Sequence, residues 1–250
     1  VPLRAIFLAF LYLMGLQVLV RADDTLTQKN GTVISGHIVG VENGEVTVMS
    51  KTPNGGVAKV PYQLSDIQSV QMTPPPEVAA AKGQPPAAVI ASLAPIVKEY
   101  AGLPADWVLD AMGRLADAYS DSSQDAAANQ IYAQIAQLYP GSSYTDIAVA
   151  GQAKLLLKQG KPDQALSTIQ PVIDAANKNV APSPTEGRAF ASAFLVYGQI
   201  LEAQKKFPEA LEAYLTVETM FYQPELVGLV AQSEAQAKNL RAQNPGLGVN

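Results

Sequence analysis

Carboxylates are the side chains of this sequence best suited to chemistry. Asp106 and Asp110 stand four apart, as do Asp121 and Asp125, and Asp117 and Glu202 lie on helical stretches. Two facing carboxyl groups can hydrolyse a glycosidic bond, one as the acid and the other as nucleophile or base. The spaced pairs also suit a simpler task at helix starts, where acidic side chains favour the dipole and cap exposed N–H groups, and that is the role assigned to them. The chain has one histidine, His37, and no cysteine. Thiolate metal sites, a cysteine nucleophile and an imidazole cage are therefore excluded. His37 reads as an ordinary strand residue. Phosphate-binding, dinucleotide-binding, nucleophile-elbow and zinc-protease motifs do not occur in the sequence, and no cofactor or metal is expected. Asn30-Gly31-Thr32 has the pattern of a glycosylation sequon, yet it sits among turn signals and reads as one of them.

The elements that must position these groups fall into distinct zones. The chain has 250 residues, 48% hydrophobic, enough to bury a core. Its formal net charge is −5, and a polyanion-binding chain should lean basic, so nucleic acid is not expected as a partner. Residues 1–22, VPLRAIFLAFLYLMGLQVLVRA, combine Arg4, an apolar run from Ala5 to Val20, and small residues at Val20 and Ala22. This is the pattern of a secretory signal peptide cleaved before Asp23. It predicts export, to the periplasm or envelope of a bacterium. If the segment stayed uncleaved it would tether the chain to a membrane.

Residues 24–72 read as β-structure. Asn30-Gly31, Asn43-Gly44 and Asn54-Gly55 each carry a hairpin signal. Between them run Thr32–Val41, Glu45–Met49, Val57–Val60 and Ile67–Gln71, with a first strand at Thr25–Gln28. Gly36 and Gly40 suggest a bulge or bend. The stretch from NGTVISGHIVGVENGEVTVMS to VPYQLSDIQSV resembles the small Sm-like or SH3-like modules of exported bacterial proteins. That resemblance implies a small barrel. RNA binding is not expected of it, because Lys29, Lys51 and Lys59 are outnumbered by Asp24, Glu42, Glu45 and Asp66, and Tyr62 is its lone aromatic. Residues 73–87, with Pro74-Pro75-Pro76 and Pro85-Pro86, read as an extended linker.

Residues 88–243 repeat a helix pair, and residues 244–250 form a tail. Second helices start DAAANQIY, KPDQAL and FPEAL, with Ala128, Ala165 and Ala210 in matching places, 37 and then 45 residues apart. First helices carry Ala116 with Tyr119, then Ala153, then Tyr197 with Gly198. Tyr132 and Tyr214 follow four residues after Ala128 and Ala210, and Gly160 marks a turn between helices. VIASLAPIVKEY mirrors ALSTIQPVIDAA and reads as a lone second helix that opens the stack. Trp107 is expected to pack the first helix.

This region resembles the tetratricopeptide repeat (TPR) family, best in FLVYGQILEAQKKFPEALEAYLTVETMF. The expected architecture is α+β: a small all-β, barrel-like module followed by an all-α solenoid of helix hairpins. One hairpin cannot bury its apolar face alone, so neighbours must stack and curve, leaving a concave groove. Such grooves bind peptides or helices of other proteins. On a helical wheel Asp117, Ser120, Lys154, Lys158, Gln199 and Glu202 project toward it. The function expected is a non-enzymatic exported adaptor, its partners other proteins or a second copy of the chain. The alternatives are a carboxylate-dependent envelope glycan hydrolase and a membrane-tethered organiser.

Overall fold

The computed structural model describes residues 24–52, 54–221 and 223–247; the expected signal peptide, 1–22, lies outside them. Five strands, β1 (Asp24–Gln28), β2 (Val33–Glu42), β3 (Glu45–Lys51), β4 (Val57–Gln63) and β5 (Ile67–Gln71), form one antiparallel sheet in the order β4-β3-β2-β1-β5. The long β2 serves both halves. Its start pairs with β1, Val33 opposite Thr27 and Gly36 opposite Asp24, and the rest pairs with β3 from His37 opposite Met49 onward. The register slips between Ile38 and Gly40, a bulge that bends the strand from one ladder into the other. The turns refine the sequence signal. At Asn43-Gly44 both residues have positive φ, 52° and 78°, and Glu42 pairs with Glu45, a two-residue hairpin. At the other two Asn-Gly sites the loop has three residues: the Gln28 and Thr52 N–H groups donate to the Thr32 and Gly56 carbonyls.

The sheet is open, which corrects the expectation of a small barrel: β4 and β5 are its two edges and do not pair. A helix supplies the cover that closure would have given. Leu26, Ile38, Val46, Val48 and Ile67 are buried in one apolar cluster with Leu93, Ile96 and Val97. The segment read as an extended linker also joins that core. A short helix, α1 (Pro76–Ala80), forms within it, Val78 and Ala81 are buried, and the Arg114 Nη2 donates to the Val78 carbonyl at 2.7 Å.

The remaining helices are α2 (Pro86–Tyr100), α3 (Asp106–Asp121), α4 (Asp125–Leu138), α5 (Ser143–Lys158), α6 (Pro162–Ala176), α7 (Pro184–Ala203), α8 (Phe207–Met220) and α9 (Val227–Gln243). From α2 on, each packs on the next, and α3, α5, α7 and α9 also touch in a row. Two apolar clusters make the core. One runs from the sheet to Leu155 and the other from Ile147 to Leu240, so they meet on α5. Trp107 on α3 meets Tyr100 of α2 edge-on, ring centres 5.4 Å apart.

Three hairpins, α3–α4, α5–α6 and α7–α8, share one local geometry. Ala128, Ala165 and Ala210 are each the fourth residue of the second helix and fully buried. Their N–H groups donate to Gln124, Lys161 and Lys206 at 3.0, 3.0 and 2.9 Å. Ala116, Ala153, Tyr132 and Tyr214 are also fully buried, Gly198 is buried, and Tyr119 and Tyr197 are partly so. The turns match as well: Gln124, Lys161 and Lys206 donate back to Tyr119, Leu156 and Leu201 at 2.8, 3.0 and 2.9 Å. Helix α2 has the second-helix pattern too, with Pro86 first, Val89 fourth and Pro95 inside, as α6 has Pro162, Ala165 and Pro171. The longer second interval is taken up by the loop after α6 and an early start of α7, fixed by a capping box between Ser183 and Glu186.

The residue before each second helix's N-cap has positive φ: Ser123 at 59°, Gly160 at 72° and Lys205 at 62°. Only the middle turn has the glycine that this conformation favours. A side chain there costs about 1 kcal/mol. Ser123→Gly and Lys205→Gly should each stabilise the chain by about 0.5–1 kcal/mol in urea melts. Destabilisation by either would mean the three turns are not equivalent.

Candidate partner groove

The row of α3, α5, α7 and α9 encloses a cavity of about 210 Å³. Helix α3 contributes Asp117 and Asp121, α5 Gly151 and Lys154, α7 Ser192 and Gln199, and α9 Leu229 and Gln232. The small residues Ala150 and Gly151 set its depth. Gly151 is small because α5 rests on the Tyr132 ring, and a Cβ there would lie 2.2 Å from Tyr132 Cζ. Tyr132 in turn donates its hydroxyl to Asp117 Oδ1 at 2.7 Å. A buried tyrosine of α4 thus carries the next first helix on its ring and a groove carboxylate on its tip.

Of the six side chains expected at the groove, Asp117, Lys154 and Gln199 line it. The other three stand elsewhere. Ser120 is buried. Lys158 donates to the Ser120 carbonyl at 2.8 Å and pairs with Asp125 at 2.7 Å, tying the end of α5 to the α3–α4 turn. Glu202 accepts the Tyr214 hydroxyl at 2.9 Å. Each of these three is drawn into local packing between neighbouring helices instead.

The spaced carboxylates are only in part at helix starts. Asp106 and Asp125 open α3 and α4, but Asp110 lies inside α3 and Asp121 ends it. Asp121 pairs with Lys154 at 3.3 Å. Asp110 is held by Arg114 at 3.0 Å and by Arg188 of α7 at 2.6 Å. Arg188, 78 residues from Asp110, was invisible to sequence reading, as was Gln232; no local pattern marks either. His37, half exposed, approaches the buried Asp24 at 3.4 Å, and Asp24 accepts the Ile38 N–H at 3.0 Å. Among the described residues no group of three or more His, Asp or Glu side chains could hold a metal. No described helix is long and apolar enough to cross a membrane.

The surrounding walls desolvate the Asp117 carboxylate and raise its pKa above the usual value; Tyr132, Lys154 and Arg188 oppose this, and Asp121 adds to it. Between the unfolded and the raised folded pKa the folded chain holds the extra proton, so stability rises as pH falls through that window. Above the folded pKa the charge weakens the fold. Asn at this position keeps the acceptor for Tyr132 and removes the charge. Asp117→Asn should therefore melt no lower than the parent at pH 7, and slightly higher, by differential scanning calorimetry. The margin is small because Asp117 is open to solvent on the groove side. A lower melting temperature would show that its charge supports the fold.

Comparison with known protein families, curated proteins and solved structures finds no match to this chain.

Proposed function

We propose that this chain is an exported, non-enzymatic adaptor of the bacterial envelope, a TPR-type scaffold that holds an extended segment of another protein in the groove along α3, α5, α7 and α9. One observation carries the reading: first helices from successive equivalent hairpins line a single continuous cavity. Stacked hairpins make such surfaces because each shelters its neighbour's apolar side and leaves one face of each first helix unfilled. The ion pairs on Asp110, Asp121 and Asp125 favour structural work for these carboxylates over acid–base chemistry. The open sheet, packed on the same core, is read as the Sm-like or SH3-like module that caps the stack. The N-terminal stretch supports export.

The test is photo-crosslinking in living cells. A crosslinking residue at Gln199, inside the groove, should trap recurrent polypeptides in the periplasmic fraction. The same residue at Thr216, away from the groove, should not. Equal or no crosslinking at both positions rejects the groove as a partner site, and a chain recovered from the cytosol rejects export.

A further inference from the structure

Charged side chains on the concave face sort into pairs with one exception. Arg188 and Arg114 are both on Asp110, and Lys154 is on Asp121. Asp117 has no ionic partner within 4.0 Å among the described residues; its one polar contact there is the neutral Tyr132 hydroxyl, on Oδ1. Oδ2 is left over. The carboxylate lines the cavity and is open to solvent on the groove side, and the walls behind it raise its pKa. An accessible carboxylate in a cleft, with one oxygen that no cation of the fold contacts, suits a ligand that brings a cationic donor to it.

We propose that Asp117 receives a lysine or arginine side chain presented by an extended segment of the partner protein. This rests on the groove reading above and names the chemistry of its occupant. A guanidinium or ammonium donor reaching Oδ2 would make a charge-assisted hydrogen bond, stronger than a neutral one. The rest of the lining fits a peptide rather than a bare cation. Ser192 and Gln199 on α7 and Gln232 on α9 each offer donor and acceptor, as an extended backbone requires. Ile147, Leu195 and Leu229 give apolar contact for the aliphatic stem of the basic side chain. Lys154 is the competitor within reach, and Asp121 holds it aside at 3.3 Å.

The experiment measures fluorescence anisotropy of labelled hexapeptide pools with the whole chain, each pool randomised except for a fixed central residue. Lysine- and arginine-centred pools should bind at least fivefold more tightly than norleucine- or glutamate-centred ones. Asp117→Asn should erase that preference while its melting temperature stays at or above the parent's. Lys154→Met should strengthen binding of the basic pools at least twofold by removing the competitor. Equal binding of all pools, preference for glutamate, or displacement of the basic pools by free spermidine at the same concentration would overturn the proposal. Crosslinking at Gln199 separates the two failures: partners trapped there without a basic preference leave the adaptor reading standing and remove this one. No trapped partner removes both.

Discussion

Between pH 10 and 12 the chain should unfold in one steep transition. Tyr132 and Tyr214 are fully buried and Tyr139 is 9% exposed. Burial raises all three phenols, that of Tyr139 to about 12, and the bonds to Asp117 and Glu202 push Tyr132 and Tyr214 further. In the unfolded chain a phenol loses its proton near pH 10. Above that pH the unfolded state binds fewer protons than the folded one, so stability falls as pH rises. Each tyrosine removes about 1.4 kcal/mol per pH unit, and three remove about 4 kcal/mol per unit until the folded groups titrate. Two such units remove about 8 kcal/mol, enough to unfold a domain in the lower half of the usual range of about 5–15 kcal/mol. Far-ultraviolet circular dichroism and tyrosinate absorbance at 295 nm should change together across the transition. Tyrosinate forming with helicity intact would mean that these rings are open to hydroxide. Tyr214→Phe should make the transition shallower, because one linked proton is gone.

Gly151→Ala should destabilise the chain by about 1–2 kcal/mol, against the local rule. In a helix interior alanine is better than glycine by about 1 kcal/mol, and α5 is helical there. The added Cβ, however, would sit 2.2 Å from the Tyr132 ring, so ring or helix must move, and overpacking of this kind costs about 1–3 kcal/mol. Gly198 meets Tyr214 at 2.5 Å in the same way, and Gly198→Ala should behave alike. Gly113 in α3 is the control: nothing lies within 4 Å of its would-be Cβ, so Gly113→Ala should stabilise by up to about 1 kcal/mol. Guanidinium melts would give all three signs. Combining Gly151→Ala with Tyr132→Leu should cost less than the sum of the two single changes, the mark of direct contact. Strict additivity would place the ring elsewhere.

What sequence reading could reach was set by how local each signal is. Period-two runs and Asn-Gly pairs fixed the strands, although Asn-Gly alone did not separate two-residue from three-residue loops. That choice depends on which residue carries positive φ, and the three sites share the same dipeptide. The matched alanines placed the hairpins because burial at the tightest helix approach demands a small side chain, wherever the repeat falls. Sheet closure was beyond reach, since it depends on whether the sheet curls onto itself or is covered by α2. The helix at Pro76–Ala80 was hidden by prolines that suit a first helical turn as well as an extended spacer. At the groove, Asp117, Lys154 and Gln199 were legible from helical spacing. The Asp110–Arg188 bond was not, because it joins first helices two hairpins apart, 78 residues from one another in the chain.

That bond acts as a bowstring. An array of stacked hairpins is a spring, its stiffness set by soft contacts between successive coils. A strut from α7 to α3 that skips the coil between them resists opening of the row and so helps to hold the width of the cleft. With Arg188 37% and Asp110 23% accessible to water, the string is partly wet, and added electrolyte slackens it.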